Sequence, residues 1–270
     1  MSLPKKDGGS ELSKEQVTKA VTALLKWVDS RKKQQKPQLL DDDDMFHLVI
    51  SLKKTPDREK TNPYRISIPH SLYPLDAARE VCLLVKDVSG EGQKEAKHQI
   101  AVEAGTGVSK VIGVSKLKTK YKPYEAKRRL CGSYDLFVAD DRILGVLPKL
   151  LGKTFFKKKK HPIPVTLKGK NWAGAIRKAC DSTYLYVSGG SCSDVRVARI
   201  SQEPQEVVEN VVAAAEGISK ILPKKWANIQ ALYLKTSESA ALPLYNALPD
   251  TTAKIAGGSG VVVATGIEAA

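Results

Sequence analysis

Between residues 81 and 151, short apolar segments alternate with amphipathic ones, and this alternation limits the possible folds more than any other feature of the chain. The strand segments are rich in β-branched and aromatic residues, whereas the helical segments place apolar residues on one side. The predicted elements are strand Val81–Lys86, helix Gln93–Glu103, strand Lys110–Val114, helix Tyr124–Leu130, strand Tyr134–Ala139 and helix Arg142–Leu151. Such a βαβαβα order predicts a parallel, Rossmann-like sheet with helices on its faces.

The segments on either side of this block predict an α+β layer. A helix opens at Ser13 with Gln16 as its capping partner, and another begins at Pro204. The predicted elements are helix Ser13–Lys33, strands Met45–Lys53 and Tyr64–Pro69, helix Asn171–Asp181, strands Thr183–Val187 and Asp194–Ile200, helix Pro204–Leu222 and strand Ile229–Thr236. We expect strand 64–69 to pair with strand 45–53 across the polar loop between them.

The last strand–helix unit of the alternating block leads into a strongly basic segment. The strand ends on Asp140 and Asp141, which suit a helix N-terminus, and Gly152 stops the helix that follows. Four lysines occupy positions 157 to 160, and the His-Pro-Ile-Pro sequence after them cannot continue a helix. We interpret this strand and helix as a packed apolar unit that places the following lysines at one side of a domain. Such an arrangement is typical of a polyanion-binding element.

The same stretch carries a family resemblance. The strand ends as Val138-Ala139-Asp140, the helix closes as Leu150-Leu151-Gly152-Lys153, and Pro162 and Pro164 follow the lysines. This pattern resembles the ribosomal protein L-one family, which includes the large-subunit ribosomal protein and eukaryotic relatives in ribosome biogenesis. The ribosomal protein continues Leu-Gly-Pro-Arg-Gly-Leu-Met-Pro, where this chain reads Lys-Thr-Phe-Phe at positions 153 to 156. The difference favours the branch of L-one domain-containing biogenesis proteins.

The resemblance implies a two-domain fold of mixed α/β and α+β class. In that fold the Rossmann-like βαβ block is inserted into an α+β RNA-binding domain built from both ends of the chain. Domain one would comprise residues 13–74 and 166–249, domain two residues 75–165, and the flexible termini residues 1–12 and 250–270.

A second match to the family lies at the end of the last predicted strand, where the family turns through a Thr-Met-Gly loop against rRNA. Thr236 and Ser237 offer hydroxyls and amides for phosphate oxygens and 2′-hydroxyls, and Lys235 adds charge. Glu238 and Ser239 replace the family's Met and Gly. Taken alone, these residues also fit an ordinary capped strand end. The candidate RNA-binding residues are Lys235, Thr236, Ser237, Ser239, Lys168, Lys170, Arg196, Lys53, Lys157, Lys158, Lys159 and Lys160.

Arg196 and two basic segments also have alternative interpretations. Arg196 lies on an alternating strand and is equally well interpreted as solvated or as facing RNA. Residues 116–122 and 127–129 read as charged helix faces, with Tyr121 and Tyr124 available to stack on bases.

The charge of the chain indicates a polyanionic partner. The formal net charge is +15 and the isoelectric point is near 9.5, which favours nucleic acid over an anionic membrane. No stretch is long enough to span a bilayer, and the first 14 residues do not follow a secretory pattern. We therefore expect an intracellular protein without a membrane partner. The resemblance implies a nucleolar or nuclear location, with rRNA or pre-rRNA and proteins of pre-ribosomal particles as partners.

No arrangement of residues predicts catalysis, a metal site or a cofactor. The four cysteines are widely spaced, the four histidines share no spacing, and Gly105-Thr106-Gly107 lacks the third glycine of a dinucleotide fingerprint. We expect no enzymatic activity, no cofactor and no small-molecule substrate. The alternatives are a structural protein of the large-subunit stalk, a protein–protein adaptor with a basic surface, and a Rossmann-type transferase.

Overall fold

The computed structural model describes residues 12–34, 44–55, 62–73, 80–87, 91–103, 107–158, 160–167, 171–187 and 189–247. The helices are α1 Lys14–Gln34, α2 Glu91–Val102, α3 Val114–Thr119, α4 Tyr124–Ser133, α5 Leu147–Leu151, α6 Lys153–Lys157, α7 Trp172–Cys180 and α8 Pro204–Ile221. The strands are β1 Met45–Leu52, β2 Tyr64–Ser67, β3 Val81–Val85, β4 Val108–Gly113, β5 Leu136–Asp140, β6 Ile163–Val165, β7 Ser182–Leu185, β8 Cys192–Arg199, β9 Ile229–Lys235 and β10 Leu242–Asn246. No helix within these ranges is both long and apolar enough to cross a membrane.

The middle of the chain forms a parallel sheet in the order β4-β3-β5-β6. Alternate residues of its strands point to opposite faces, and each face has its own core. Leu83 and Val138 pack with α2 and α7, whereas Leu84 and Phe137 pack with α3, α4, α5 and α6. The predicted parallel sheet is confirmed, and β6 is a fourth strand that was not predicted.

The two ends of the chain form an antiparallel sheet in the order β10-β9-β1-β8. One face carries Leu48 and Ile50 of β1, which share a core with Val17 of α1 and Val211 of α8. Leu48 pairs directly with Leu234, so the same face continues across β9. The presence of this sheet beside the parallel one confirms the mixed α/β and α+β fold class.

The predicted pairing of the second strand was wrong. β2 pairs with β7, with Tyr64 opposite Leu185, because β8 and β9 occupy both sides of β1. β2 also lies close against α8. A Cβ atom added at Gly217 would come within 2.5 Å of Ile66 Cγ2, so the absence of a side chain at Gly217 permits this approach.

The predicted helix 142–151 is interrupted. A 3-10 turn at Asp141–Ile143 precedes α5, and α6 restarts directly after Gly152, whose φ of 71° ends α5. Phe155 of α6 is fully buried, and its ring centre lies 4.9 Å from that of Phe137. This burial returns the chain to the sheet, so the lysine run begins on a helix and not in a loop.

Helix α7 lies on the parallel sheet, although the sequence placed it in domain one. Ile176 and Cys180 share a core with Val165 and with the β3 residues of that face. The division at residues 74/75 and 165/166 remains a prediction, and the packing of α7 favours a second boundary after that helix. Leu12 is buried in the core of the antiparallel layer, so it does not belong to a flexible terminus. The other residues of segments 1–12 and 250–270 lie outside the described residues.

Candidate nucleic-acid interface

Three side chains form a row across the antiparallel sheet on the face turned away from α1 and α8. His47 of β1 pairs with Lys235 of β9 on one side and with Arg196 of β8 on the other. Residues that pair directly point to the same face, and neighbouring strands lie about 4.8 Å apart. Lys235 and Arg196 therefore face the same way at a strand separation of about 10 Å. We call Lys235, His47 and Arg196 the basic row.

An acidic side chain contacts the middle of the basic row. His47 Nδ1 lies 2.9 Å from Asp194 Oδ2, and His47 is buried whereas the Asp194 side chain is 45% exposed. This contact holds the imidazole within the sheet surface. His47 thus has an acidic partner within the protein, and Lys235 and Arg196 are the outer members of the row.

The turn after β9 is stabilised by its own polar groups. The backbone N–H of Thr236 donates to Ser239 Oγ at 2.8 Å, and that hydroxyl donates to the Ala240 carbonyl oxygen at 3.0 Å. Thr236 is only 1% exposed, so the predicted contact of its hydroxyl with RNA is at odds with its burial. Ser239 has a structural partner in the turn, and Ser237 is the exposed hydroxyl that a ligand can reach.

The same turn is attached to the end of α1. Glu238 forms an ion pair with Arg31, whose guanidinium lies 5.2 Å from the centre of the Trp27 ring. Glu238 therefore contacts α1 through an exposed ion pair, where the family resemblance would place a methionine.

Arg196 is oriented by an aromatic neighbour. Its Nη1 donates to the Tyr73 hydroxyl at 3.3 Å, and the Arg199 guanidinium lies 5.1 Å from the centre of the same ring. Arg199 Nε also donates to the Leu72 carbonyl oxygen at 2.6 Å. Tyr73 and the residue before it thus contact two cations of β8, Arg199 and the basic-row member Arg196.

A cleft of about 400 Å³ opens beside Arg196. Its lining comes from β7, β8 and the beginnings of β5 and β6, and includes Lys160 and His161 just before β6. Burial raises the pKa of Tyr186, which lines the cleft, to about 12, while the charge of Arg196 acts in the opposite direction. The Tyr186 phenol is therefore neutral at physiological pH and offers a hydrogen-bond donor.

The other predicted cations do not join the basic row. Lys53 is exposed just after β1, at the end of the strand opposite His47. Lys157 and Lys158 are exposed at the end of α6, in the layer of the parallel sheet. Lys159, Lys168 and Lys170 lie outside the described residues.

Lys160 has a structural role. Its Nζ donates to the carbonyl oxygens of Cys131 at 3.0 Å and Tyr134 at 2.7 Å, at the C-terminal end of α4. A cation at this position satisfies carbonyl groups that lack helical partners. The run of lysines from 157 to 160 is therefore not a uniform ligand surface.

Three residues of this interface were not predicted. His47 lies between Phe46 and Leu48, and Asp194 and Arg196 lie on either side of Val195. This alternation is the signal that could have placed His47 and Asp194 on the polar face with Arg196. Tyr73 carries no such local signal, because its contact with Arg196 joins positions 123 residues apart.

The interface combines two kinds of group. The basic row supplies charge on a sheet surface, and the turn after β9 supplies the Ser237 hydroxyl next to Lys235. Phosphate and ribose oxygens accept hydrogen bonds from lysine, arginine, serine and backbone amides. The arrangement is suited to holding the backbone of a folded polyanion.

Comparisons with known proteins give the chain a family context. The sequence model of the ribosomal protein L1p/L10e family matches residues 11–240. The chain is 35% identical over 240 residues to ribosomal L1 domain-containing protein 1 of Mus musculus. The matched region covers 87% of this chain and 52% of the mouse protein. It is 34% identical over 247 residues to a Schizosaccharomyces pombe protein whose name provisionally assigns it to ribosome biogenesis, covering 84% of this chain and 64% of the relative. Identity to large ribosomal subunit protein uL1 of Neurospora crassa is 26% over 237 residues, covering 87% of this chain and 100% of that protein. The chain thus spans 52% and 64% of the lengths of the first two relatives.

Proposed function

Because the chain belongs to the ribosomal protein L1p/L10e family, we propose that it is a non-catalytic RNA-binding protein that acts in the biogenesis of the large ribosomal subunit. Its ligand is rRNA or pre-rRNA, and its protein partners belong to pre-ribosomal particles in the nucleolus. The names of two relatives, an L1 domain-containing protein and a protein provisionally assigned to ribosome biogenesis, support this role.

The observation that carries the proposal is the basic row. Lys235 and Arg196 are half-buried on the sheet face opposite the α1 and α8 core, and the exposed Ser237 is the second residue after β9. Contacts of this kind read the shape of folded RNA through phosphates and 2′-hydroxyls. The net charge of +15 adds long-range attraction to the same ligand.

The test removes one cation and one hydroxyl from the interface. The variant Lys235→Ala/Ser237→Ala is compared with Lys19→Ala/Ser30→Ala, which removes the same side chains from the exposed side of α1. A charged hydrogen bond contributes about 1.5–3 kcal/mol and a hydroxyl bond about 1 kcal/mol, so we expect structured rRNA to bind about sixtyfold more weakly or worse. The affinity for random RNA should fall by no more than the loss of one phosphate contact would cause.

The measurement is competition between a structured rRNA fragment and random-sequence RNA of the same length, followed by fluorescence anisotropy. The control pair should keep the preference of the unmodified protein for the structured fragment. Equal preference in both variants would place the specific interface elsewhere. If the unmodified protein binds no RNA, the proposed function is wrong.

The alternative of a permanent ribosomal protein has one observation in its favour, the match to uL1 along the full length of that relative. The higher identities belong to the relatives that are not named as ribosomal subunit proteins. Sedimentation of cell extracts separates the two roles. An assembly factor sediments with precursor particles and is absent from mature subunits and polysomes, whereas a ribosomal protein is present in all of them.

A further inference from the structure

Positive charge is distributed unequally over the two faces of the parallel sheet. Residues 114–158 contain α3, α4, α5 and α6, which cover one face, and carry twelve Lys and Arg against four Asp and Glu. This segment contributes +8 to the chain's net charge of +15. Counted over helices alone, α3 to α6 carry eight Lys and Arg against one Glu in 26 residues. On the other face, α2 and α7 carry four Lys and Arg against two Glu in 21 residues. Solubility alone does not require such asymmetry between two faces of one sheet.

Most cations of the α3–α6 face have no acidic partner. Arg129 pairs with Glu125, and Arg142 pairs with Asp140. The exposed cations that form no ion pair with another described residue are Lys116, Lys118, Lys120, Lys122, Arg128, Lys149, Lys153, Lys157 and Lys158. We call these nine residues the lysine face. Their mutual repulsion destabilises the folded chain, and an anionic ligand would remove that repulsion.

The helices of the lysine face are held together by apolar side chains beneath it. Leu117 of α3, Leu130 of α4, Leu147 of α5 and Phe155 of α6 are all buried in one core on that side of the sheet. The cations therefore belong to a single packed layer, and they are presented on a rigid surface.

The composition of the face favours a nucleic-acid backbone over an acidic protein. Eight of its nine cations are lysines, and lysine is depleted from protein–protein interfaces, whose centres are rich in aromatic residues and arginine. Lysine acts instead as a point charge toward phosphate. Tyr124 is 79% exposed on the same layer, with Lys127 Nζ 5.8 Å from its ring centre. An exposed ring flanked by cations is suited to stacking on an unpaired base.

We propose that the lysine face is a second RNA-binding surface, directed at phosphates and indifferent to sequence, separate from the basic row on the antiparallel sheet. This inference rests on the proposed function, since it takes RNA as the ligand. The two surfaces belong to different sheets and would hold one RNA at two places. The second contact is then intramolecular, so it raises the overall affinity without adding sequence preference.

The test neutralises four cations on each side of the parallel sheet. The first variant is Lys116→Gln/Lys118→Gln/Lys120→Gln/Lys157→Gln on the lysine face. The matched control is Lys94→Gln/Lys97→Gln/Arg177→Gln/Lys178→Gln on α2 and α7, where all four side chains are also exposed. Thermal unfolding of both variants is measured first to show that they fold. Neither variant should unfold at a lower temperature than the unmodified protein, because neutralising cations relieves repulsion.

Binding to a random-sequence RNA hairpin is then measured over a series of salt concentrations. Each lost phosphate contact lowers the slope of log K against log salt by roughly 0.7–0.9. We expect the first variant, which loses four contacts, to lose about three units of slope, and the control to lose less than about half a unit. The preference for structured rRNA over random RNA should be unchanged in both.

Four outcomes overturn the inference. Equal loss of slope in both variants would show that charge anywhere on the domain is sufficient. An unchanged slope in the first variant, with RNA binding intact in the unmodified protein, refutes the lysine face and leaves the proposed function standing. Binding to polyglutamate that is tighter than binding to RNA, and is lost only in the first variant, would assign the face to an acidic protein. Absence of RNA binding by the unmodified protein would overturn both proposals together.

Discussion

Replacing Asn210 by leucine should destabilise the segment that leads to the basic row. Asn210 is fully buried in α8, and its amide makes two bonds to one residue of that segment. The His70 N–H donates to Asn210 Oδ1 at 2.9 Å, and Asn210 Nδ2 donates to the His70 carbonyl oxygen at 2.9 Å. The side chain therefore satisfies a backbone donor and a backbone acceptor at once.

The expected cost follows from these two groups. A buried donor or acceptor left without a partner costs about 1–3 kcal/mol, so the pair would cost about 2–6 kcal/mol in a dry site. His70 is partly exposed, and water can reach the segment in part. A buried leucine also recovers roughly 1 kcal/mol of apolar transfer energy. We expect the free energy of unfolding to fall by about 2–4 kcal/mol.

Urea unfolding followed by circular dichroism measures this change, and the slope of free energy against urea should stay constant. Glu209→Gln is the control, because Glu209 contacts the His70 ring from an exposed position, with 2.8 Å between Oε2 and Nε2. An exposed pair of this kind contributes less than about 1 kcal/mol. A cost below about 1 kcal/mol for Asn210→Leu, or an equal cost for the control, would refute the role given to the amide.

Two further predictions concern stability at alkaline pH and the limits of the domains. Burial raises the pKa of Cys82 and of Cys180 from 9.0 to about 12, so between these values the folded state keeps protons that the unfolded state has lost. The free energy of unfolding should therefore keep the full contribution of both thiols below pH 9 and fall above it by about 1.4 kcal/mol per pH unit for each thiol. Urea midpoints measured from pH 7 to 10.5 should show this fall in the unmodified protein and lose it in Cys82→Ala/Cys180→Ala. Removing residues 74–180 and joining the ends with a short glycine linker should leave a folded antiparallel layer. Removing residues 75–165 instead keeps α7 without its sheet, so this shortened protein should expose apolar surface and bind a hydrophobic dye. Equal dye binding by both shortened proteins would contradict the boundary after α7.

The alternation of strands and helices in the middle of the chain was predictable because each element carries its own periodicity. Buried strands such as β3 and β5 read as continuous apolar runs, and α8 shows a clear apolar stripe after Pro204. Those signals are local, so one sequence is enough to read them.

The strand partners were not predictable, because pairing depends on distant residues. β2 lies nearest to β1 in sequence, and nearness favours pairing by default. The actual partner of β2 is β7, and Thr183 of β7 donates to the carbonyl oxygen of Arg196, which attaches this pair to β8. The prolines at positions 164 and 243 concealed β6 and β10, since proline lowers the expectation of a strand.

The candidate site was predictable in composition and only partly in geometry. Lys235 and Arg196 were named from charge and strand position, and the register places them on either side of His47. Thr236 was named for its hydroxyl, which is buried because the strand ends inside the core of its layer. Burial at a strand end is decided by the packing around it, and no local pattern records that.

The two prolines that obscured the outer strands have a consequence for how the protein behaves at high concentration. Pro164 lies in β6 and Pro243 in β10, each the terminal strand of its sheet. A rim strand with a full set of free donors invites a second chain to extend the sheet, which leads to aggregation. A proline lacks one backbone donor, so β6 and β10 are poorer templates for an added strand than an uninterrupted rim would be. At these two rims the sequence therefore lowers the tendency of concentrated protein to associate through its sheets.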